Sequence, residues 1–182
     1  MRQNIKQMTL MGLMTAVICV IAPFSISIPV SPVPISLCIL AIYFAVTILG
    51  MKCGTISVLL YLLLGLAGLP VFSHFSGGVS RLLGPTGGYL WGYVFLAIIC
   101  GFSVDRWYKR RILCFVGMAA GTAVCYLFGT AWLSYQASIS FTQALYSAVI
   151  PFLPGDVAKL VLAMTVGRQI RTRLTKANLF RQ

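Results

Sequence analysis

Acidic residues are almost missing from this chain. Its 182 residues include two, Asp105 and Asp156, against fourteen Lys and Arg, and one histidine, His74. That scarcity leaves no acid/base dyad beyond a single pair described below, and no cluster of metal-ligating side chains. The six cysteines, Cys19, Cys38, Cys53, Cys100, Cys114 and Cys125, show no CxxC spacing and lie in or beside apolar runs. They read as small hydrophobes, not as a disulfide framework. A nucleophile elbow and a GxxxxGK[ST] loop are also missing, so the chain has no visible means of hydrolysing ATP. Charge itself is scarce, at 9 % of residues with 59 % hydrophobic, where a soluble domain carries about a quarter charged residues. The apolar runs are long and unbroken, without period-two alternation, which points to an all-α, multi-pass membrane protein and away from a β-barrel.

Six spans are expected within a single integral-membrane domain covering residues 1–182. They fall at about residues 5–22, 35–50, 54–68, 88–104, 112–133 and 154–173. Arg2 and Lys6 before the first apolar run resemble the start of a signal peptide, but no small-residue cleavage site follows, so the run is read as the first helix. Residues 23–34 contain four prolines and no charge; they cannot be regular helix, and are too apolar for a wet linker. Such a segment is expected to cap or plug something. Residues 69–87, the longest irregular stretch, hold His74, Arg81, Gly77-Gly78 and Gly84-Pro85. Residues 134–140 read as an uncharged loop and 141–150 as a short helix at the outer surface.

The positive charges fix an orientation. With both termini in the cytoplasm, twelve of the fourteen basic residues are cytoplasmic, and only Arg81 and Lys159 are not. The same clustering between and after apolar runs argues against nucleic acid as a partner and for a lipid bilayer. Residues 69–87, the proline-rich segment and the start of the last helix then share the external side.

On that side lies Pro151-Phe152-Leu153-Pro154-Gly155-Asp156-Val157-Ala158-Lys159. Pro154 suits the first turn of a helix, where its missing N–H costs nothing, and Asp156 falls in that turn, where the helix dipole favours negative charge. Lys159 follows on the same face at i+3. An ionisable pair at membrane depth is expensive and by default faces a bundle interior, marking a ligand or ion pathway. The alternative for such a pair is a structural tie between helices. As a floor for a ligand, an acceptor beside a donor suits a neutral group with an N–H next to a carbonyl, such as a urea or amide. Arg81, on a glycine-rich loop, suits a carboxylate.

Gly68-Leu69-Pro70-Val71-Phe72, Ser76-Gly77-Gly78, Leu83-Gly84-Pro85-Thr86-Gly87-Gly88-Tyr89, and Pro151 to Asp156 with Lys159 occur in an order that resembles the BioY family. Those are the biotin-binding S components of energy-coupling factor (ECF) transporters. The resemblance implies a six-helix S-component fold that captures biotin from outside and acts with a transmembrane coupling subunit and two cytoplasmic ATPases. It implies no enzyme activity, catalytic residue, metal or cofactor, and a place in the cell membrane, taken as bacterial. Asp156 and Lys159 match the family's ligand-contacting acid and lysine, and Arg81 the basic residue before GPTGGY. His74 is weighed as a ligand contact against a solvated loop residue. Gly84, Pro85, Gly87 and Gly88 are expected to shape the loop so that backbone approaches the ligand. Gly12-x-x-x-Ala16 is similar to the small-residue motif by which such components dock onto the coupling subunit, its alternative being packing within the chain. Tyr43, Trp91, Trp132 and Tyr146 are candidates to stack on a ring. Competing functions are an S component for another small vitamin, a stand-alone ion-coupled carrier titrating Asp156, and an intramembrane enzyme.

Overall fold

A computed structural model describes residues 2–26 and 33–177. The middle of the proline-rich segment and the tail with Arg181 lie outside the described residues. The chain is mostly helical. Helix α1, Arg2–Ile21, stops just before Pro23, whose ring and missing N–H end a helical ladder. Its inner face carries Met14, Thr15, Ile18 and, just beyond the helix, Ala22, all buried. Two hydrogen bonds fasten that face to its neighbour: Thr15 Oγ1 donates to the Ser57 carbonyl at 3.3 Å and Ser57 Oγ to the Met11 carbonyl at 3.2 Å. In an apolar medium such contacts contribute about 0.6 kcal/mol each.

Two short strands follow, β1 (Ser25–Ile26) and β2 (Ile35–Ser36), antiparallel with Ser25 opposite Ser36. Helix α2, Cys38–Leu66, breaks at Gly50, where φ is +77°. The two arms fold back on each other there: a Cβ placed on Gly54 would lie 2.9 Å from the Val46 Cα, although eight residues of straight helix span about 12 Å. The two spans expected at 35–50 and 54–68 lie on either side of this break, and the structure joins them without an intervening loop.

Residues 69–87 are partly ordered by their own structure, with a Phe72–Ser76 bridge and a short helix α3, Val79–Leu83. Helices α4 (Gly87–Trp107) and α5 (Arg111–Ala137) pack closely along their length. Glycine permits this: a Cβ on Gly88 would lie 2.2 Å from Trp132 Cβ, and one on Gly121 2.8 Å from Cys100 Sγ. Helix α5 extends four residues into what the sequence suggested was loop, and ends where Ser138 takes φ +53°. Helix α6 (Phe141–Ala148) opens with a capping box formed by Ser140 and Gln143. It meets the last helical run at a 53° bend. That run comprises α7 (Leu153–Leu162), a π-helical turn (Ala163–Gly167) and α8 (Arg168–Lys176).

By length and composition α2, α4 and α5 can each cross a membrane, and a fourth span is available if the bent pair of α6 with α7–α8 counts as one. Ile5–Ile21 of α1 is apolar but shorter. This is a multi-pass membrane protein.

Candidate functional site

Pro154 at the start of α7 sets Asp156 in the first turn, buried at 5 % exposure. Lys159 Nζ, one turn on, donates to Asp156 Oδ1 at 2.8 Å and to the Ser36 carbonyl at 2.9 Å. The other carboxylate oxygen, Oδ2, accepts from the Tyr126 hydroxyl on α5. The pair therefore ties α7 to α5 and β2. It is not fully used, however. An ammonium has three donors and a carboxylate about four acceptor positions; two of each are engaged among the described residues. One face can still donate and accept at once.

That face borders a cavity of about 240 Å³, just below the roughly 300–1,000 Å³ usual for drug-sized ligands. It suits a compact molecule. Asp156, Lys159 and Phe152 line one side, and Ser36 and Ile39 another. From α4 and α5 come Tyr89, Tyr93 and Tyr126, while the 69–87 stretch contributes Phe72, His74, Ser76 and Arg81. The walls are thus apolar and aromatic with a few convergent polar groups, the usual composition of a small-molecule site.

Arg81 lies on α3 in the exposed layer above the cavity, with no carboxylate partner among the described residues. His74 is also exposed and has φ +60°, an uncommon backbone state outside glycine. Its N–H donates to the Pro23 carbonyl at 3.0 Å, and Ser25 Oγ lies 3.4 Å from its Nδ1. Phe24 and Phe75 pack edge to face, with ring centroids 5.6 Å apart. The segment after α1 is thereby seated on the 69–87 stretch, and Val33 and Pro34 stand on the cavity wall.

The glycine-rich turn backs this wall. A Cβ on Gly87 would fall 1.9 Å from the Leu82 carbonyl oxygen, so the turn cannot close with a side chain there. Trp132 Nε1 donates to the Gly84 carbonyl at 2.9 Å, holding the same turn from behind, while Pro85 is exposed. Gly12 and Ala16 do not line the cavity; they lie on the exposed face of α1, and a Cβ on Gly12 would touch nothing within 4 Å.

None of Tyr43, Trp91, Trp132 and Tyr146 lines the cavity. Tyr43 is fully buried and hydrogen-bonded to Thr122 Oγ1, Trp132 stands behind the turn, and Trp91 and Tyr146 face outward at 48 % and 68 % exposure. The aromatics that do line it are Tyr89, Tyr93 and Tyr126. Tyr89 and Tyr93, spaced i,i+4 just after GPTGG, share a helix face, a signal present in the sequence. Tyr126 has no such local mark. Among the described residues, no group of three or more His, Cys, Asp or Glu side chains could hold a metal ion.

A helical membrane protein with a compact cavity and an ion pair at its wall has the form expected of a small-molecule transport component. The chain belongs to the BioY family, whose profile matches residues 1–176. It is 36 % identical to the biotin transporter BioY of Thermotoga maritima, over 94 % of this chain and 96 % of that one. It is 35 % identical to the biotin transporter BioY of Lactococcus lactis, over 93 % and 92 %. A crystal structure of the S component for biotin from an ECF-type ABC transporter superposes with a TM-score of 0.82 at 34 % identity, covering 94 % of this chain and 93 % of that one. Membership makes the chain a transporter component and not an enzyme.

Proposed function

We propose that this chain is the substrate-capture subunit of an ECF-type transporter, binding biotin from the external side of a bacterial cell membrane. The observation that carries the reading is the Asp156–Lys159 pair on the wall of the 240 Å³ cavity, with Arg81 in the layer above. Biotin presents a ureido ring at one end and a carboxylate at the other. The ring's N–H groups meet Asp156 and its carbonyl oxygen meets Lys159, while Arg81 pairs with the carboxylate. Tyr89 and Tyr93 pack along the bicyclic body, and His74 borders the entrance. Gly84, Pro85, Gly87 and Gly88 hold the turn that closes the wall.

In this reading the two arms of α2 count as separate spans, giving six with α1, α4, α5 and the α7–α8 run, and both termini are cytoplasmic. Twelve cytoplasmic cations support that orientation. Energy comes from a transmembrane coupling subunit and two cytoplasmic ATPases, onto which the open Gly12/Ala16 face of α1 docks. Competition between biotin and other vitamins for the purified protein tests the ligand; preference for a different vitamin would overturn it. Uptake into cells with and without the ATPase module tests the energy source, and equal uptake in both would contradict dependence on the module.

A further inference from the structure

A second concave surface lies at the opposite end of the molecule, between the start of α5 and the end of the last helical run. It encloses about 800 Å³. Arg111, Arg168, Arg173 and Lys176 line it and no acidic residue does. None of the four has a carboxylate partner among the described residues, because Asp105, the acid at this end, is taken by Arg171 and the Met51 N–H.

Two features show that this is more than a diffuse basic surface. First, the Arg168 guanidinium is held in place over the Tyr108 ring, 4.5 Å from its centroid, and Tyr108 in turn donates to the Arg168 carbonyl at 3.4 Å. Yet its Nη1 is buried with no hydrogen-bond partner. Hydrogen bonds to a charged group are costly to leave unmade, and the fixed guanidinium lines the groove with donor capacity that no carboxylate of the chain uses, so the rest of its fork is open to an acceptor lodged there. Second, the lining is graded along the helices. The cations sit at one end, and toward the other both walls become apolar, with Phe115 one turn from Arg111 on α5 and Met164 and Val161 one and two turns from Arg168 on the last run. The gradient runs along the axes of α5 and the last helical run. A free anion would use only the charged half; a molecule with an anionic head and hydrocarbon tails uses both.

We propose that this groove holds one acidic glycerophospholipid, its phosphodiester on Arg168 and Arg173 and its acyl chains against Phe115 and Met164. Arg168 supplies the planar fork that matches two phosphate oxygens. Arg111 and Lys176 add positive potential at the rim. The proposal is independent of what the cavity at the other end binds.

Native mass spectrometry of the full-length protein in detergent, with added phosphatidylglycerol, phosphatidylcholine or inorganic phosphate, tests it. Phosphatidylglycerol should be retained in preference to phosphatidylcholine, and excess phosphate should not displace it. Replacing both Arg168→Gln and Arg173→Gln should lower its retention about thirtyfold, or about fivefold per charge removed. Arg106→Gln, at the same end but outside the groove, should leave retention within about twofold of wild type if charge must be in the groove to count. Arg168→Lys, which keeps charge but not the fork, should fall between. Monodisperse elution and an unchanged helical circular dichroism signal establish that each variant is folded. Equal loss in Arg106→Gln would reduce the groove to diffuse surface charge, and full displacement by phosphate would make it a free-anion site; either overturns the proposal. So would variants that keep lipid preference but lose assembly with a partner protein, since the groove would then serve an acidic protein segment.

Discussion

Asp156 and Asp105 stand at opposite ends of the bundle, and each accepts a hydrogen bond from a basic side chain, Lys159 at 2.8 Å and Arg171 at 3.0 Å. The partners look alike in a list of ion pairs, but their surroundings differ. Asp156 and Lys159 are three residues apart on one helix, and the space beside them is open cavity. Asp105 and Arg171 come from α4 and α8 and enclose the break in α2. Asp105 Oδ2 accepts from the Met51 N–H at 2.8 Å, just past Gly50, and Arg171 donates to the Thr47 carbonyl at 3.3 Å, just before it. A Cβ on Gly50 would lie 2.6 Å from Asp105 Oδ1. One pair keeps free donor and acceptor positions facing a void; the other spends its groups on backbone that a helix break has left open. A buried ion pair alone is thus weak evidence for a ligand. What it faces decides.

The sharpest way to break this comparison is Lys159→Ala. Truncating one member of a buried, hydrogen-bonded charge pair at a binding site costs about 2–5 kcal/mol, so biotin affinity measured by calorimetric titration should fall at least about thirtyfold. Asp105→Ala should do the reverse. Losing two hydrogen bonds to a charged group should reduce resistance to unfolding by about 2 kcal/mol, seen as a lower thermal midpoint, with biotin affinity of the folded protein nearly unchanged. A smaller effect is expected at the exposed Arg81: Arg81→Ala should weaken biotin about tenfold and, unlike wild type, fail to distinguish biotin from its methyl ester. If wild type also fails to distinguish them, Arg81 does not meet the carboxylate. Least affected should be binding by Gly12→Leu, which fills the open face of α1; titration should be unchanged, while biotin uptake in cells carrying the ATPase module should drop.

The difference between the two ends also shows what was legible in the sequence. Asp156 and Lys159 could be paired from it because the relation is local: a proline that starts a helix and an i,i+3 spacing. The close packing of α4 against α5 rests on Gly88 and Gly92 of one helix and Gly117 and Gly121 of the other, each pair four residues apart, since only a missing Cβ lets backbones approach so far. Asp105 and Arg171 are 66 residues apart and leave no periodic trace. Tyr126 is likewise 30 residues from the carboxylate it serves. The π turn at Ala163–Gly167 shifts backbone hydrogen bonding by one residue within an apolar run that composition alone reads as ordinary helix. Aromatic side chains were ambiguous for a related reason: in a bundle, only the rotation of each helix decides whether a tyrosine meets the cavity or the lipid.

The most direct test compares the two carboxylates in one experiment: titration of biotin into purified wild type, Asp156→Asn and Asp105→Asn. The account expects wild type to bind, Asp156→Asn to lose affinity by more than about thirtyfold, and Asp105→Asn to bind within a few-fold of wild type. Equal losses in both variants, or no binding of biotin by wild type, would contradict it.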